Sequence, residues 1–264
     1  MDRLPVHYIP HGGGPCFFMD WQPEGTWANM EYFLRQFPAG IKGDIRSIIV
    51  ISAHWETATV SVTGNPSPGL IYDYNGFPPH TYDLKWPAPG HEGLASDIAR
   101  RLRYGGVDCD IEPERGFDHG VFIPLLLSFP KADVPTVQLS LSSSLSPDLH
   151  IKIGRLIAPL RDQGVLIIGS GMSYHDVGAL MGRRRATGSA AFDSWLCNAI
   201  QSPAEQRETL LRDWASAPHA RDCHPREEHL LPLHVVVGAA GDEQGMVAYS
   251  DTVMGAKISA FRFG

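Results

Sequence analysis

The sequence predicts one α/β domain spanning residues 1–264, with a central mixed or mostly parallel sheet flanked by helices and a ligand crevice at the carboxyl ends of its strands. Three observations carry this. In Ser47–Glu56 the residues Ile48, Ile49, Val50 and Ile51 follow one another without polar alternation, and the run ends on Ser52, Ala53 and His54. A strand of that kind is covered on both faces, as at the centre of a parallel or mixed sheet. The same pattern recurs at Val165–Ile168, which empties into Gly169, Ser170 and Gly171. Between such runs lie segments with apolar residues at helical spacing, as crossovers require. In open α/β sheets ligands sit beyond the carboxyl ends of the strands, where Ser52 and His54 are expected. No composition shift or Ser/Gly/Pro linker divides the chain, and its length suffices for one sizeable core.

In chain order, Val6–Pro10 is the first strand and runs into His11, Gly12, Gly13 and Gly14, where glycines let the backbone approach a ligand closely. The loop lacks the GxxxxGK[ST] and GxGxxG phosphate patterns. Residues 25–37 place Trp27, Met30, Phe33, Leu34 and Phe37 on one helical face. After the anchor strand, residues 59–64 alternate as a second strand. The stretch 65–89, rich in Pro, Gly and aromatics, is too long for an idle connection and reads as a loop covering a pocket. Glu92–Tyr104 is a crossover helix. Arg115–Phe122 is a tight loop presenting Asp118 and His119, with Asp118 alternatively capping a helix that starts near Gly120. Val134–Leu141 is a strand and 147–163 a helix. Beyond Gly171 stand Ser173, Tyr174, His175 and Asp176; Met172 breaks the GxSxG elbow that a serine hydrolase would need. Residues 186–217 are helical in pattern. His224–His234 is a third dense cluster without HExxH spacing, and Lys257–Phe263 alternates like a closing edge strand.

Net charge −7 and a pI near 5.9 oppose a nucleic-acid footprint. Arg183, Arg184 and Arg185 form the only basic cluster and read as a solvated turn. No apolar run approaches the roughly 20 residues of a membrane span, and no signal-peptide core opens the chain, so a cytoplasmic protein is expected. A homo-oligomer is compatible with all of this. The four cysteines are scattered without CxxC spacing, which disfavours disulfides and thiolate zinc. Metal chemistry would therefore use the imidazoles, of which there are 12, and carboxylates. Strands of one sheet deliver their ends to one crevice, so histidines at several strand ends converge there. Iron and zinc both suit such a site.

Five motifs occur in order: His11–Pro15, Ser52–Glu56, Gly116–Gly120, Gly169–Gly171 with Tyr174–Asp176, and Glu228–Leu233. Together with Gly76–Pro78 and Trp86–Gly90 they resemble the class III extradiol ring-cleavage dioxygenases of the LigB-type superfamily. The resemblance is closest to the single-chain branch that contains 4,5-DOPA extradiol dioxygenase. It implies a non-haem Fe(II) enzyme that opens a catechol-type ring with O2. His11, His54 and His229 would be the metal ligands, His175 the catalytic acid/base, and His119 a second active-site histidine. Other branches use a glutamate as third ligand, so Glu228 is the alternative there. His80 and Tyr82 of the covering loop, with Asp118 and Asp176, are expected near the substrate, the two acids orienting their neighbouring histidines. Zn(II) is an ion the same imidazoles would take up on purification. The competing readings are a zinc hydrolase using a metal-bound water, and a non-catalytic relative that keeps the fold as a binding module.

Overall fold

A computed structural model describes residues 2–264. Its strands are β1 (Val6–Pro10), β2 (Ser47–Thr57), β3 (Val60–Thr63), β4 (Cys109–Glu112), β5 (Thr136–Ser142), β6 (Val165–Gly171), β7 (Gly245–Val253) and β8 (Ala256–Phe263). They form one mixed sheet in the order β4-β3-β5-β2-β6-β1-β8-β7. The centre is parallel, β5–β2–β6–β1, and β8 and β7 continue it antiparallel. The helices are α1 (Ala28–Gln36), α2 (Glu92–Tyr104), α3 (His119–Ser128), α4 (Pro147–Ile157), α5 (Val177–Leu180), α6 (Ser189–Gln201), α7 (Ala204–Arg212), α8 (Ala220–Cys223) and α9 (Leu231–Ala240).

Side-chain alternation on β6 separates the two faces of the sheet. Ser170 hydrogen-bonds the Gly120 carbonyl at the start of α3, whereas a Cβ on Gly169 would stand 2.6 Å from the Pro232 carbonyl oxygen of α9. Thus α3, with α1 packed on it, covers one face, and α9, with α4 behind it, covers the other. The α4–α9 crossing is set by two glycines. A Cβ on Gly154 or on Gly238 would lie 2.0 Å from a backbone oxygen of the facing helix, Val235 or Ile151. Ile48–Ile51 and Val165–Ile168 are fully buried between these layers, as their unbroken apolar runs require.

Several sequence expectations shift in detail. The helix expected over 25–37 begins at Ala28, and the one over 147–163 becomes a 3-10 turn at Ala158–Gln163 after Ile157. The helical region 186–217 is two helices, because Pro203 cannot continue α6 and instead precedes α7. The tail is not an edge strand. β8 is hydrogen-bonded on both sides, by β1 and β7, and is nearly all buried; β7 is the edge. Short β4, partly exposed, carries too little pattern to be read from sequence. All four cysteines are free. Among the described residues no helix is long and apolar enough to cross a membrane.

Candidate active site

The carboxyl ends of β1 and β2 and the loop before α9 bring His11, His54 and His229 together. Their backbone supports differ. β1 ends at Pro10, and His11 continues its pairing with β6 by donating its N–H to the Gly171 carbonyl. His54 lies where the β2–β5 register shifts between Ile51 and Glu56, a local irregularity that re-aims the side chain. His229 is anchored through its carbonyl, which accepts from the Met172 N–H and the Tyr8 hydroxyl. Gly171 permits that approach, since a Cβ there would stand 2.2 Å from the same carbonyl oxygen.

The three Nε2 atoms face one another. His54 Nε2 lies 3.2 Å from His11 Nε2 and 3.3 Å from His229 Nε2. His11 Nδ1 donates to the Gly12 carbonyl at 2.8 Å and His229 Nδ1 to Glu228 Oε1 at 2.9 Å. With the proton placed on Nδ1 by these partners, Nε2 of His11 and of His229 presents a lone pair. Burial holds all three imidazoles well below the usual histidine pKa, and their mutual proximity, with His119 and His175 beside them, lowers them further. Neutral lone pairs gathered in a buried place are poised for a cation. Nitrogens 3.2 and 3.3 Å apart are also the separation expected of ligands about 2.1 Å from one ion at about 100° to each other. The residues present fit a metal ion.

Two further histidines border the trio, each backed by a carboxylate. The His175 ring stacks on His229, centroids 3.3 Å apart, and its Nδ1 lies 3.4 Å from Glu228 Oε1. Glu228 therefore serves both rings through one oxygen. Its partial burial pushes its pKa up, but the hydrogen bond from His175 and the charges of His175 and Arg226 outweigh this and leave it lowered. Glu228 sits on the Nδ1 side of His229, whereas Nε2 faces His54, so its oxygen stands outside the three-imidazole cluster. Arg226 braces the arrangement by a two-pronged ion pair with Glu56, from the far end of β2. On the opposite side, the His119 ring lies 3.9 Å from that of His54 and its Nδ1 donates to Asp73 Oδ1 at 2.8 Å. The same oxygen accepts the His119 backbone N–H at 2.9 Å. Asp73 is pushed up by burial yet ends lowered by these bonds.

Asp73 was not singled out from the sequence, and it displaces the acids that were. Asp118 does not reach the His119 ring. It is fully buried, accepting from Ser52 at 2.7 Å, from Arg115 at 3.2 Å and from Gln138, and burial raises its pKa. It locks the end of β2 to the start of α3, and so carries His54 and His119 rather than touching a ligand. Asp176 also turns away from its neighbour, capping α5 through Gly178 N–H and pairing with Arg184. The reason is shared: adjacent residues on an extended segment point to opposite sides. In the covering loop, His80 is exposed and bonds the Phe18 carbonyl, and the Tyr82 hydroxyl reaches the Tyr74 carbonyl at 3.3 Å. These two hold the loop together. Beside Asp73, Tyr74 is the loop residue that meets the cluster, its ring edge-on to His119 at 5.8 Å. The only hint of Asp73 and Tyr74 in the sequence is their place in a long aromatic loop.

Comparison with known proteins shows the family. The model of the catalytic LigB subunit of aromatic ring-opening dioxygenase matches residues 5–261. The dioxygenase tasH of Hapsidospora irregularis is 36% identical over 282 residues, covering 100% of this chain and 86% of that protein. The 4,5-DOPA dioxygenase extradiol of Beta vulgaris is 42% identical, covering 75% of this chain and 74% of its own. The Escherichia coli K12 protein of the same description is 32% identical, covering 90% and 85%. A crystal structure of an uncharacterized Escherichia coli K12 protein superposes with TM-score 0.78 at 26% identity, covering 99% of this chain and 100% of that one. The chain belongs to the LigB family and is an extradiol-type ring-cleaving dioxygenase.

Proposed function

We propose that this enzyme opens a catechol-type ring beside its paired hydroxyls, inserting both atoms of O2, with Fe(II) held by His11, His54 and His229. One observation carries the reading: three neutral imidazoles turn their free nitrogens on one buried point, flanked by two more histidines that each have a carboxylate behind them. Bound there, iron(II) would bring diol and O2 together and pass electron density from one to the other.

The chain's own residues manage protons and water. Glu228 fixes the His175 ring through Nδ1, so Nε2 is the edge that takes a proton from a catechol hydroxyl and later returns one. The carboxylate stabilises the imidazolium formed in between. On the other side Asp73 orients His119 in the same way and stabilises its imidazolium form, whose Nε2–H can donate to negative charge developing on oxygen. The covering loop excludes water by resting on the glycine turn after β1, where Phe77 lies 3.1 Å from the Cβ that Gly14 lacks. All five histidines of the expected set are present, which favours catalysis over a binding module. The ring-opening relatives favour it over hydrolysis.

The test is anaerobic reconstitution with Fe(II), followed by O2 uptake with a panel of catechols including DOPA. Uptake with a coloured ring-opened product is expected with iron and not with zinc. No uptake across the panel, or equal activity with zinc, would refute the proposal. The variant His175→Ala should keep its metal and lose turnover by at least 100-fold; metal loss instead would make His175 a ligand.

A further inference from the structure

A cavity of about 710 Å³ lies apart from the histidine cluster. It lies on the same face of the sheet but at the other end of β1, between α1 and the β7–β8 hairpin. His7 is in its wall, four residues before His11 and so about 13 Å away along the strand. The volume is that of a small-molecule site.

The cavity contains polar groups that the fold leaves unanswered. His7 is 3% exposed and neither ring nitrogen has a hydrogen-bond partner. Burial first, then the charges of Arg262 and Arg161, hold it neutral, down to about 3. Arg262 stands directly opposite His7 on β8 and opposite Met246 on β7, which puts these three side chains in one row on one face. Its Nε is buried without a partner, and no carboxylate pairs with its guanidinium among the described residues. The Tyr249 hydroxyl is buried in the same wall, with Asp251 as its polar neighbour. Buried polar groups normally find partners, and His7 and Arg262, two adjacent side chains with buried unpartnered nitrogens in one cavity, are a pair that a ligand would resolve.

The walls specify the rest. Tyr249, Phe33 and Phe37 stack in series at 5.1 and 5.8 Å, and Phe37 meets the His7 ring at 5.1 Å. This is a continuous aromatic surface ending at the His7–Arg262 row. Asp251 does not spoil an anion site there. It lies five residues along β7 from Met246, roughly 15 Å, and its oxygens already accept from Asn29 and from the Thr252 N–H. We propose that this cavity is a second small-molecule site, separate from the metal centre, that takes an aromatic carboxylate with its anion on Arg262 and His7 and its ring against Phe33 and Phe37.

The experiment is calorimetric titration of metal-free protein with benzoate, using benzyl alcohol as the neutral control. Saturable 1:1 binding of benzoate, at least tenfold tighter than the alcohol, is expected. Arg262→Gln should weaken it at least tenfold, and His229→Ala at the metal cluster should leave it unchanged. Because Arg262→Gln removes a partly buried group, a second variant is needed that spares the fold. Gly40 lines the cavity and a Cβ there would meet nothing within 4 Å, so Gly40→Trp should fill the mouth and abolish binding with an unchanged melting temperature. The proposal fails if benzoate does not saturate, if the alcohol binds equally, or if binding survives in either cavity variant. It also fails if the site maps to His229, or if sedimentation shows a dimer that Gly40→Trp dissociates, since the cavity would then be an interface between copies.

Discussion

Replacing Glu228 by glutamine separates orientation of a metal ligand from ligation itself. Glu228 Oε1 accepts from His229 Nδ1 at 2.9 Å and faces His175 Nδ1 at 3.4 Å, while Arg226 approaches its other oxygen at 3.5 Å. Glutamine keeps the shape and one acceptor oxygen but surrenders the charge. A hydrogen bond to a charged acceptor contributes about 1.5–3 kcal/mol against about 1 kcal/mol for a neutral one, so His229 would lose about 0.5–2 kcal/mol of support as a ligand. At 1.4 kcal/mol per decade this is roughly a 2- to 30-fold loss of metal affinity, which overlaps the range seen when such outer partners are removed. The amide would also turn its NH2 towards Arg226, which adds to the loss. Turnover should fall further than affinity, because the same oxygen orients His175. The assay is competition for Fe(II) against a chelator under argon, paired with O2 uptake at saturating iron. Affinity unchanged within twofold would mean that Glu228 does not support His229. A loss beyond about 1,000-fold would mean that it coordinates the metal directly.

Three other outcomes follow from the geometry. Asp73→Asn should leave metal content near the wild-type value while lowering turnover at least tenfold, because Asp73 orients His119 rather than the ligands' free nitrogens; metal analysis beside O2 uptake checks it, and parallel loss of both would contradict it. Gly238→Ala should destabilise the fold by about 3 kcal/mol, lowering the melting temperature by roughly 6–12 °C, since its Cβ would collide with the Ile151 carbonyl; an unchanged melt would mean that α4 and α9 are not in such close contact. Acid should weaken the fold before ordinary carboxylates titrate. His7 and His224 are held down to about 3 and His150 to about 4, chiefly by burial, so all three take up protons more readily when unfolded, where the pKa is about 6.5. Their contribution is complete above that value and is lost as pH falls below it. The loss is on the order of 5 kcal/mol by pH 5, readable as a shift in urea midpoint, and a flat profile from pH 7 to 5 would refute it.

The α/β class, the buried central strands and the placing of His11 and His54 at strand ends were legible in the sequence because each depends on local order, whereas His119, His175 and His229 were expected from the ordered motifs. A β-branched run with no polar alternation has to be covered on both sides, and a histidine placed just past it has to emerge where such strands end, whatever the rest of the chain does. What lies behind each imidazole was not legible. The adjacent acids Asp118 and Asp176 point away from the rings of His119 and His175, whose carboxylates, Asp73 and Glu228, arrive from elsewhere in the chain; only Glu228 also meets the ring of its own neighbour, His229. Sequence neighbours on an extended backbone diverge by geometry, so a side chain's partner is a property of the packed layers. Edge strand β7 escaped notice because one exposed side dilutes its pattern, and β8 was mistaken for an edge because the partner that buries it was unseen. The cavity at His7 and Arg262 arises in the same way. Residues 255 positions apart become neighbours only when two antiparallel strands register, and only the tertiary structure decides that.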